Sequence, residues 1–220
     1  MKYTHIAIDG PAGAGKSTIA KIVADELNFT YIDTGAMYRA ITLKALKLGI
    51  DISKEENYVF LENTSIDFYD NKIFLDGVDV SKEIRRPIID KNVSEVSAFG
   101  YVRNRLVKFQ REIASHSNVV MDGRDIGSVV LPNADLKVFL TAKVETRAQR
   151  RYLELIEELK SKTTIEDLIN EIRRRDDYDT NRKISPLKKA SDAIEIDTSD
   201  MNIEEVSKKI IYLFINKGVH

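Results

Sequence analysis

The 220-residue sequence contains no cysteine. Disulfides and thiolate metal centres are therefore excluded, and the composition fits a reducing compartment. Histidine is scarce as well. His5, His116 and His220 are scattered along the chain and suggest no metal cluster. No apolar run approaches the roughly 18 residues that a membrane helix needs. The N-terminus lacks a basic stretch leading into an apolar core, so no secretory leader is expected. An excess of basic charge is missing too: Lys and Arg number 34 against 35 Asp and Glu, a net charge of −1. That balance argues against a general nucleic-acid binder. These absences leave a cytoplasmic, soluble globular protein with neither nucleic acid nor membrane among its partners, large enough for one sizeable domain.

What is present begins at the N-terminus. The strand-like "HIAIDG" meets the glycine-rich "GPAGAGKST", and an amphipathic stretch from Lys16 to Leu27 follows. "FTYID" predicts a second strand and "GAMYRAITLKALKLGI" a helix that stops near Gly49. Residues 65–80, "SIDFYDNKIFLDGVDV", alternate in short segments broken at Asp70-Asn71 and Asp76-Gly77, which predicts a small antiparallel β insertion. One long helix is expected from about Ser94 to Ser115. "NVVMDG", "DLKVFLTA" and "DAIEID" supply three more strands, with charged helical segments and a closing amphipathic helix around them. Strands alternating with helices predict an α/β fold, a parallel sheet of the P-loop NTPase type covered on both faces. No internal repeat or low-complexity linker divides it.

Gly10, Gly13, Gly15, Lys16 and Ser17 satisfy the pattern G-x-x-x-x-G-K-[ST]. The glycines let backbone N–H groups turn inward as an anion nest at a helix N-terminus. Lys16 would reach the β- and γ-phosphates of a nucleoside triphosphate, and the Ser17 hydroxyl would ligate Mg2+. A chance glycine turn is disfavoured because the motif lies between a buried-looking strand and a helix. The loop does not choose among P-loop functions. A GTPase switch should carry Asn-Lys-x-Asp after a later strand, whereas "NKIF" at 71 lies in the β insertion and lacks the Asp. Motors and transporter engines usually need a longer chain. A kinase of a small acceptor remains.

The arginines narrow the acceptor. Arg39 follows the second strand in "DTGAMYR", Arg124 the third in "MDGRD", and Arg173, Arg174, Arg175 and Arg182 gather in "RRRDDYDTNR". Ligands of doubly wound sheets bind beyond the C-terminal strand ends, so the first two should face the P-loop crevice. A second nest of guanidiniums beside a triphosphate suits an acceptor that is itself a phosphate, a ready nucleophile that needs no general base. For Arg150, Arg151, Arg173 and Arg174 a solvated helix face is the rival assignment. Asp122 either helps hold Mg2+ through water or caps the next turn. Asp125 either accepts from an exocyclic amine, as carboxylates do from cytosine N4, or pairs with Arg124 within its own loop.

"IDGPAGAGKST", "YIDTGAMYRA", "VVMDGRDIG" and "RRRDDYDTNR", in this order and spacing, resemble the bacterial cytidylate kinase family, the (d)CMP kinases of the nucleoside monophosphate kinase group. The resemblance runs from about residue 5 to 200. It implies ATP-dependent phosphorylation of CMP and dCMP with Mg2+, by a monomer; phosphorylation of another nucleoside monophosphate such as UMP or AMP is the alternative. It implies ATP phosphates on Gly10, Pro11, Ala12, Gly13, Ala14, Gly15, Lys16, Ser17 and Thr18. The CMP phosphate would be met by Thr34, Arg39 and Arg124, with Arg175 and Arg182 closing from a lid. Arg103 and Asp125, helped by Ser94, would read the cytosine edge, and Asp179 with Arg175 would touch the sugar. Lys16, Arg124, Arg175 and Arg182 would be the catalytic charges. The single domain, residues 1–220, would then carry an acceptor lobe at 34–103 and a lid at 147–182.

Overall fold

The computed structural model describes residues 3–69, 72–159 and 163–217, with side chains inside the helix ending at Leu159 described only to Leu155. The predicted Asp70-Asn71 turn and residues 160–162 of the predicted lid lie outside these ranges.

Five parallel strands form the central sheet: β1 (His5–Asp9), β2 (Thr30–Asp33), β6 (Val119–Gly123), β7 (Leu136–Thr141) and β8 (Ile194–Asp197). Their order is β2-β6-β1-β7-β8. Residues alternate across the sheet, so Ile6 and Ile8 enter one core while Ala7 enters the other. The Ile6 side is closed by α1 (Lys16–Leu27) and α7 (Ile203–Asn216), through Ile19, Val23, Val206, Ile210 and Phe214. The Ala7 side is closed by α2 (Thr34–Lys47) and α4 (Gly100–Ala114), through Met37, Ile41, Val102 and Leu106. Both faces are covered, as the apolar runs of the strands require.

The insertion is an antiparallel sheet of β3 (Ile66–Tyr69), β4 (Lys72–Leu75) and β5 (Val78–Asp79). Asp76 (φ 50°) and Gly77 (φ 78°) turn β4 into β5 with the left-handed pair that a two-residue hairpin prefers. Its inner face, Ile66, Ile73 and Leu75, joins the Ala7-side core.

The expected single helix over 94–115 is two helices, α3 (Pro87–Val96) and α4. Ser97 ends α3, its hydroxyl donating to Ser94 O at 2.9 Å, and Phe99 starts α4. The break releases the Ser97 carbonyl, which accepts from Arg103 Nη1 at 3.0 Å. A helical pair, α5 (Val144–Leu159) and α6 (Ile165–Asn181), stands over the C-terminal strand ends with its own small core of Ala148, Leu168 and Ile172. Thr164 and Asp167 exchange hydrogen bonds in a capping box that starts α6.

Candidate functional site

β1 and β6 are adjacent and parallel, so the loops leaving them lie side by side. The loop after β1 is the glycine-rich one. Gly13 (φ 75°) and Gly15 (φ 82°) take left-handed conformations that aim backbone N–H groups inward above the α1 N-terminus. Lys16 is buried, with Nζ donating to Pro11 O at 2.7 Å. Burial pushes its pKa down to about 7, and the nearby Arg124 and Arg175 charges push the same way. An anion in the loop would reverse that shift.

Asp122, the next-to-last residue of β6, is buried. Its Oδ2 accepts from the Ser17 hydroxyl and its Oδ1 from the Tyr31 hydroxyl, each at 2.9 Å. Both oxygens are thus turned towards α1 and β2, and the rival role of capping the next turn is overturned. Burial, and then the charge of Asp33 opposite on β2, raise the Asp122 carboxyl to about 7. Asp33 itself caps α2, accepting from Ala36 N at 2.8 Å, and takes an ion pair at 2.8 Å from Arg85, in the 3-10 turn that follows the insertion. Thr34 donates to Asp122 O at 2.7 Å, which ties α2 to β6.

The loop after β6 is held from below by Asp9. Its two carboxylate oxygens accept from Ile126 N and Gly127 N, both at 2.7 Å, at the start of a short π-helical turn. Above this anchor Arg124 and Asp125 diverge. Arg124 Nε donates to Asp179 Oδ2 of α6 at 2.8 Å. Asp125 is buried and hydrogen-bonded to Arg103, with Arg182 3.7 Å away. The Arg124–Asp125 pair within one loop does not form, because adjacent side chains leave the turn in different directions. Burial works to raise the Asp179 carboxyl, but Arg124, Arg175 and Arg182 outweigh it and hold it below the usual carboxylate range.

These groups line two adjoining cavities. A cleft of about 270 Å³ takes Lys16, Ser17, Thr18, Arg39, Asp122 and Arg175. A pocket of about 60 Å³ takes Thr34, Ser94, Arg103, Asp125, Asp179 and Arg182. Gly35, Gly123, Arg124 and Arg175 border both, so the two are continuous. The residues expected to meet the acceptor therefore lie around these two cavities, although Thr34 and Arg182, expected at its phosphate, border the smaller pocket rather than the cleft. The Nε of Arg103 and the Nη2 of Arg182 are buried there without a hydrogen-bond partner, the latter 3.7 Å from Asp125 Oδ1. A further groove of about 690 Å³ runs between α1–β2 and the β insertion, and meets the site at Ser17, Thr18, Asp33 and Arg85.

Sequence patterns missed several participants. Arg147 of α5 donates to the P-loop carbonyl of Ala12 at 2.9 Å and to Asp176 of α6 at 2.5 Å, joining the loop to both helices. Asp90 of α3 faces Arg39, Arg151 and Arg175. Arg150 lies against Thr198 and Arg173 against exposed Glu145, away from the cleft. Asp9 and Asp33 stood in plain view as acidic residues at strand ends; nothing in the spacing pointed to Asp90 or Asp176.

Three comparisons bear on this arrangement. The family model described as "Cytidylate kinase" matches residues 6–216. The cytidylate kinase of Alkaliphilus oremlandii is 53% identical over 220 residues, covering all of both chains. That of Caldanaerobacter subterraneus subsp. tengcongensis is 56% identical over 209 residues, covering 93% of this chain and 92% of its own. Among solved structures, an uncharacterized protein from Eubacterium ventriosum superimposes with a TM-score of 0.51 at 17% identity, over 98% of this chain and 99% of that one, a likeness of fold alone. An anion loop joined to an arginine-lined pocket, within a sequence matched almost end to end, leads to one conclusion: the chain belongs to the cytidylate kinase family.

Proposed function

We propose that the protein transfers the γ-phosphoryl group of ATP to CMP and dCMP, giving ADP with CDP or dCDP. The observation that carries the assignment is the continuity of the two cavities through Arg124 and Arg175: a donor-phosphate loop opens directly into a pocket that ends at Asp125. ATP phosphates rest on residues 10–18, with Lys16 against the β- and γ-phosphates. The CMP phosphate meets Thr34, Arg39, Arg124 and Arg175, with Arg182 reaching it from the smaller pocket. Asp125 accepts from the cytosine amine, Arg103 and Ser94 complete the base edge, and Asp179 with Arg175 holds the sugar. In UMP a carbonyl would face the Asp125 carboxylate, and two acceptors would repel.

An oxygen of the CMP phosphate attacks the γ-phosphorus in line while the bond to the β,γ-bridging oxygen breaks and ADP leaves. Lys16, Arg124 and Arg175 stand where negative charge gathers, and positioning with charge stabilisation supplies the rate. Mg2+ fits the donor set. A hydroxyl and a buried carboxylate meet at Ser17 and Asp122, and among the described residues no group of three or more His, Cys, Asp or Glu is placed to cage a metal. A cation that keeps waters and phosphate oxygens as its other ligands suits such a site. Ser17 would ligate it directly and Asp122 through water, and it would neutralise phosphate charge.

Residues 34–103 serve as the acceptor lobe and 147–182 as the lid that excludes water from the reaction. In this reading the protein acts as a monomer. We place it in the cytoplasm with its nucleotide substrates. The test is a coupled assay of ADP release with CMP, dCMP, UMP, AMP and GMP. CMP and dCMP should be the best acceptors; UMP or AMP outrunning both would overturn the base assignment.

A further inference from the structure

The guanidiniums assigned to the acceptor phosphate are not free in this structure. Arg39 Nη2 donates to Asp90 Oδ1 at 2.5 Å. Arg175 Nη1 approaches the same oxygen at 3.8 Å, and Arg151 Nη2 approaches Oδ2 at 3.4 Å. Asp90 lies in the first turn of α3, Arg39 on α2, Arg151 on α5 and Arg175 on α6. One carboxylate therefore joins the acceptor lobe to both lid helices. It does so inside the phosphate cleft, which it lines together with all three arginines. The side chains of Arg39 and Asp90 are 11% and 14% exposed, so solvent screens the pair poorly.

Of the other carboxylates at or near the cleft, Asp179 pairs with Arg124, Asp176 with Arg147, Asp33 with Arg85, and Glu154 with Arg151 at 3.1 Å. Without Asp90, Arg39 would lose its carboxylate partner, and Arg175 would face Arg39 and Arg124 with Asp179 still opposing that repulsion. That repulsion is already felt, because burial, then Arg124 and Arg39, lower the Arg175 pKa to about 10. Arg39 and Arg151 hydrogen-bond Asp90, the Arg151 bond long at 3.4 Å, and the 3.8 Å contact to Arg175 is an ion pair without a hydrogen bond. A phosphate, with more oxygens and more charge, matches the forks better.

We propose that Asp90 is a resident anion of the acceptor-phosphate site, holding the lobe and lid arginines together before an acceptor arrives and competing with the acceptor's phosphate for them. The proposal rests on the assignment of Arg39 and Arg175 to that phosphate. Asp90 is thereby a positioning residue. It keeps the arginines gathered in the empty enzyme, at the cost of affinity for any free anion of similar shape.

The experiment measures inhibition by inorganic phosphate against CMP in the wild type, Asp90→Asn and Asp90→Glu, with thermal unfolding as the check on fold. Phosphate should compete with CMP in the wild type, and removing the like charge should tighten its inhibition constant about tenfold in Asp90→Asn. Asp90→Glu, which keeps the charge, should stay near wild type. Amide exchange in α6 of the ligand-free protein should quicken in Asp90→Asn and slow again on adding inorganic phosphate. Unchanged or weaker phosphate inhibition in Asp90→Asn, or the same tightening in Asp90→Glu, would overturn the proposal. Phosphate that fails to compete with CMP in the wild type would instead overturn the assignment of Arg39 and Arg175, and the proposal with it.

Discussion

Arg124 Nε and Asp179 Oδ2 are 2.8 Å apart, and that bond ties the loop after β6 to the helix that covers it. The direction of the guanidinium is set by a residue 55 positions away in the chain. Asp179 is itself buried and also lies 3.8 Å from Arg182, so one carboxylate orients two arginines of the acceptor site. The position of α6 and the aim of Arg124 are thus coupled.

Asp179→Asn should therefore damage the chemical step as well as sugar binding. The amide can still accept from Arg124 but no longer balances its charge. A misaimed guanidinium should lower kcat about tenfold to a hundredfold for both CMP and dCMP, with little change in KM for ATP. Steady-state kinetics with both acceptors checks this. An unchanged kcat with raised KM would confine Asp179 to holding the sugar.

Asp125 calls for a gentler substitution than alanine, because its partners are trapped. The side chains of Arg103 and Arg182 are only 2% and 3% exposed. Truncating Asp125 would strip buried Arg103 of its carboxylate partner and leave Arg182 with the 3.8 Å contact to Asp179, at about 3–5 kcal/mol of stability. Asp125→Asn retains the shape and some hydrogen bonding. Its preference for CMP over UMP, as a ratio of kcat/KM, should fall about tenfold or more, since each base-edge bond is worth roughly 1–3 kcal/mol. An unaltered ratio in a folded variant would remove Asp125 from base recognition.

How far the sequence foretold these relationships depends on whether their cause is local. The P-loop, the β insertion and the strand order of polar and apolar residues were legible, because glycine conformations, turn dipeptides and strand alternation act within a few residues. Thr34, Arg39, Arg124 and Asp125 were legible as residues just beyond strand ends. The break at Ser97–Phe99 was not, as it carries neither glycine nor proline and continues the apolar pattern on both sides. The turn frees the Ser97 carbonyl for the buried guanidinium of Arg103, six residues on, a bond that the apolar pattern does not encode. Of the alternatives left open for Asp125, the pair with Arg124 does not form and Arg103 is the partner, since neighbours in sequence leave a tight turn in different directions. Asp90 meets arginines from three helices, and no spacing encodes that meeting.

Asp9 should leave a mark on the pH dependence of stability. Burial, opposed by the Gly127 and Ile126 N–H bonds, raises its carboxyl from 3.8 to about 6. A group with a raised folded pKa contributes stability that is complete below the unfolded value and is lost as pH rises through the folded one. The contribution of Asp9 thus declines between about pH 4 and pH 6. Asp9→Asn, which cannot titrate, should lack that slope. It should also be less stable at pH 7, because its NH2 opposes one of the two N–H donors, a loss of about 1–3 kcal/mol. Urea unfolding of both proteins at pH 4, 5, 6 and 7 tests the slope separately from the offset. Parallel curves would show that Asp9 does not titrate in this window.

Gly10 is required for packing before any question of phosphate arises. A Cβ there would stand 2.1 Å from the carbonyl oxygen of Leu140, and the backbone φ of 151° is one that L side chains rarely adopt. Leu140 is a buried residue of β7, adjacent to β1, so neither partner can retreat without disturbing the sheet. Gly10→Ala should destabilise the fold by at least about 3 kcal/mol, the upper range of overpacked cores. The loss should persist at saturating ATP, because bound nucleotide adds stability by mass action but does not relieve the clash. Urea unfolding with and without nucleotide separates the two. If Gly10→Ala unfolded like the wild type, the close approach of β1 to β7 at this point would be wrong, and the place of Gly10 in the motif would have to rest on phosphate binding alone.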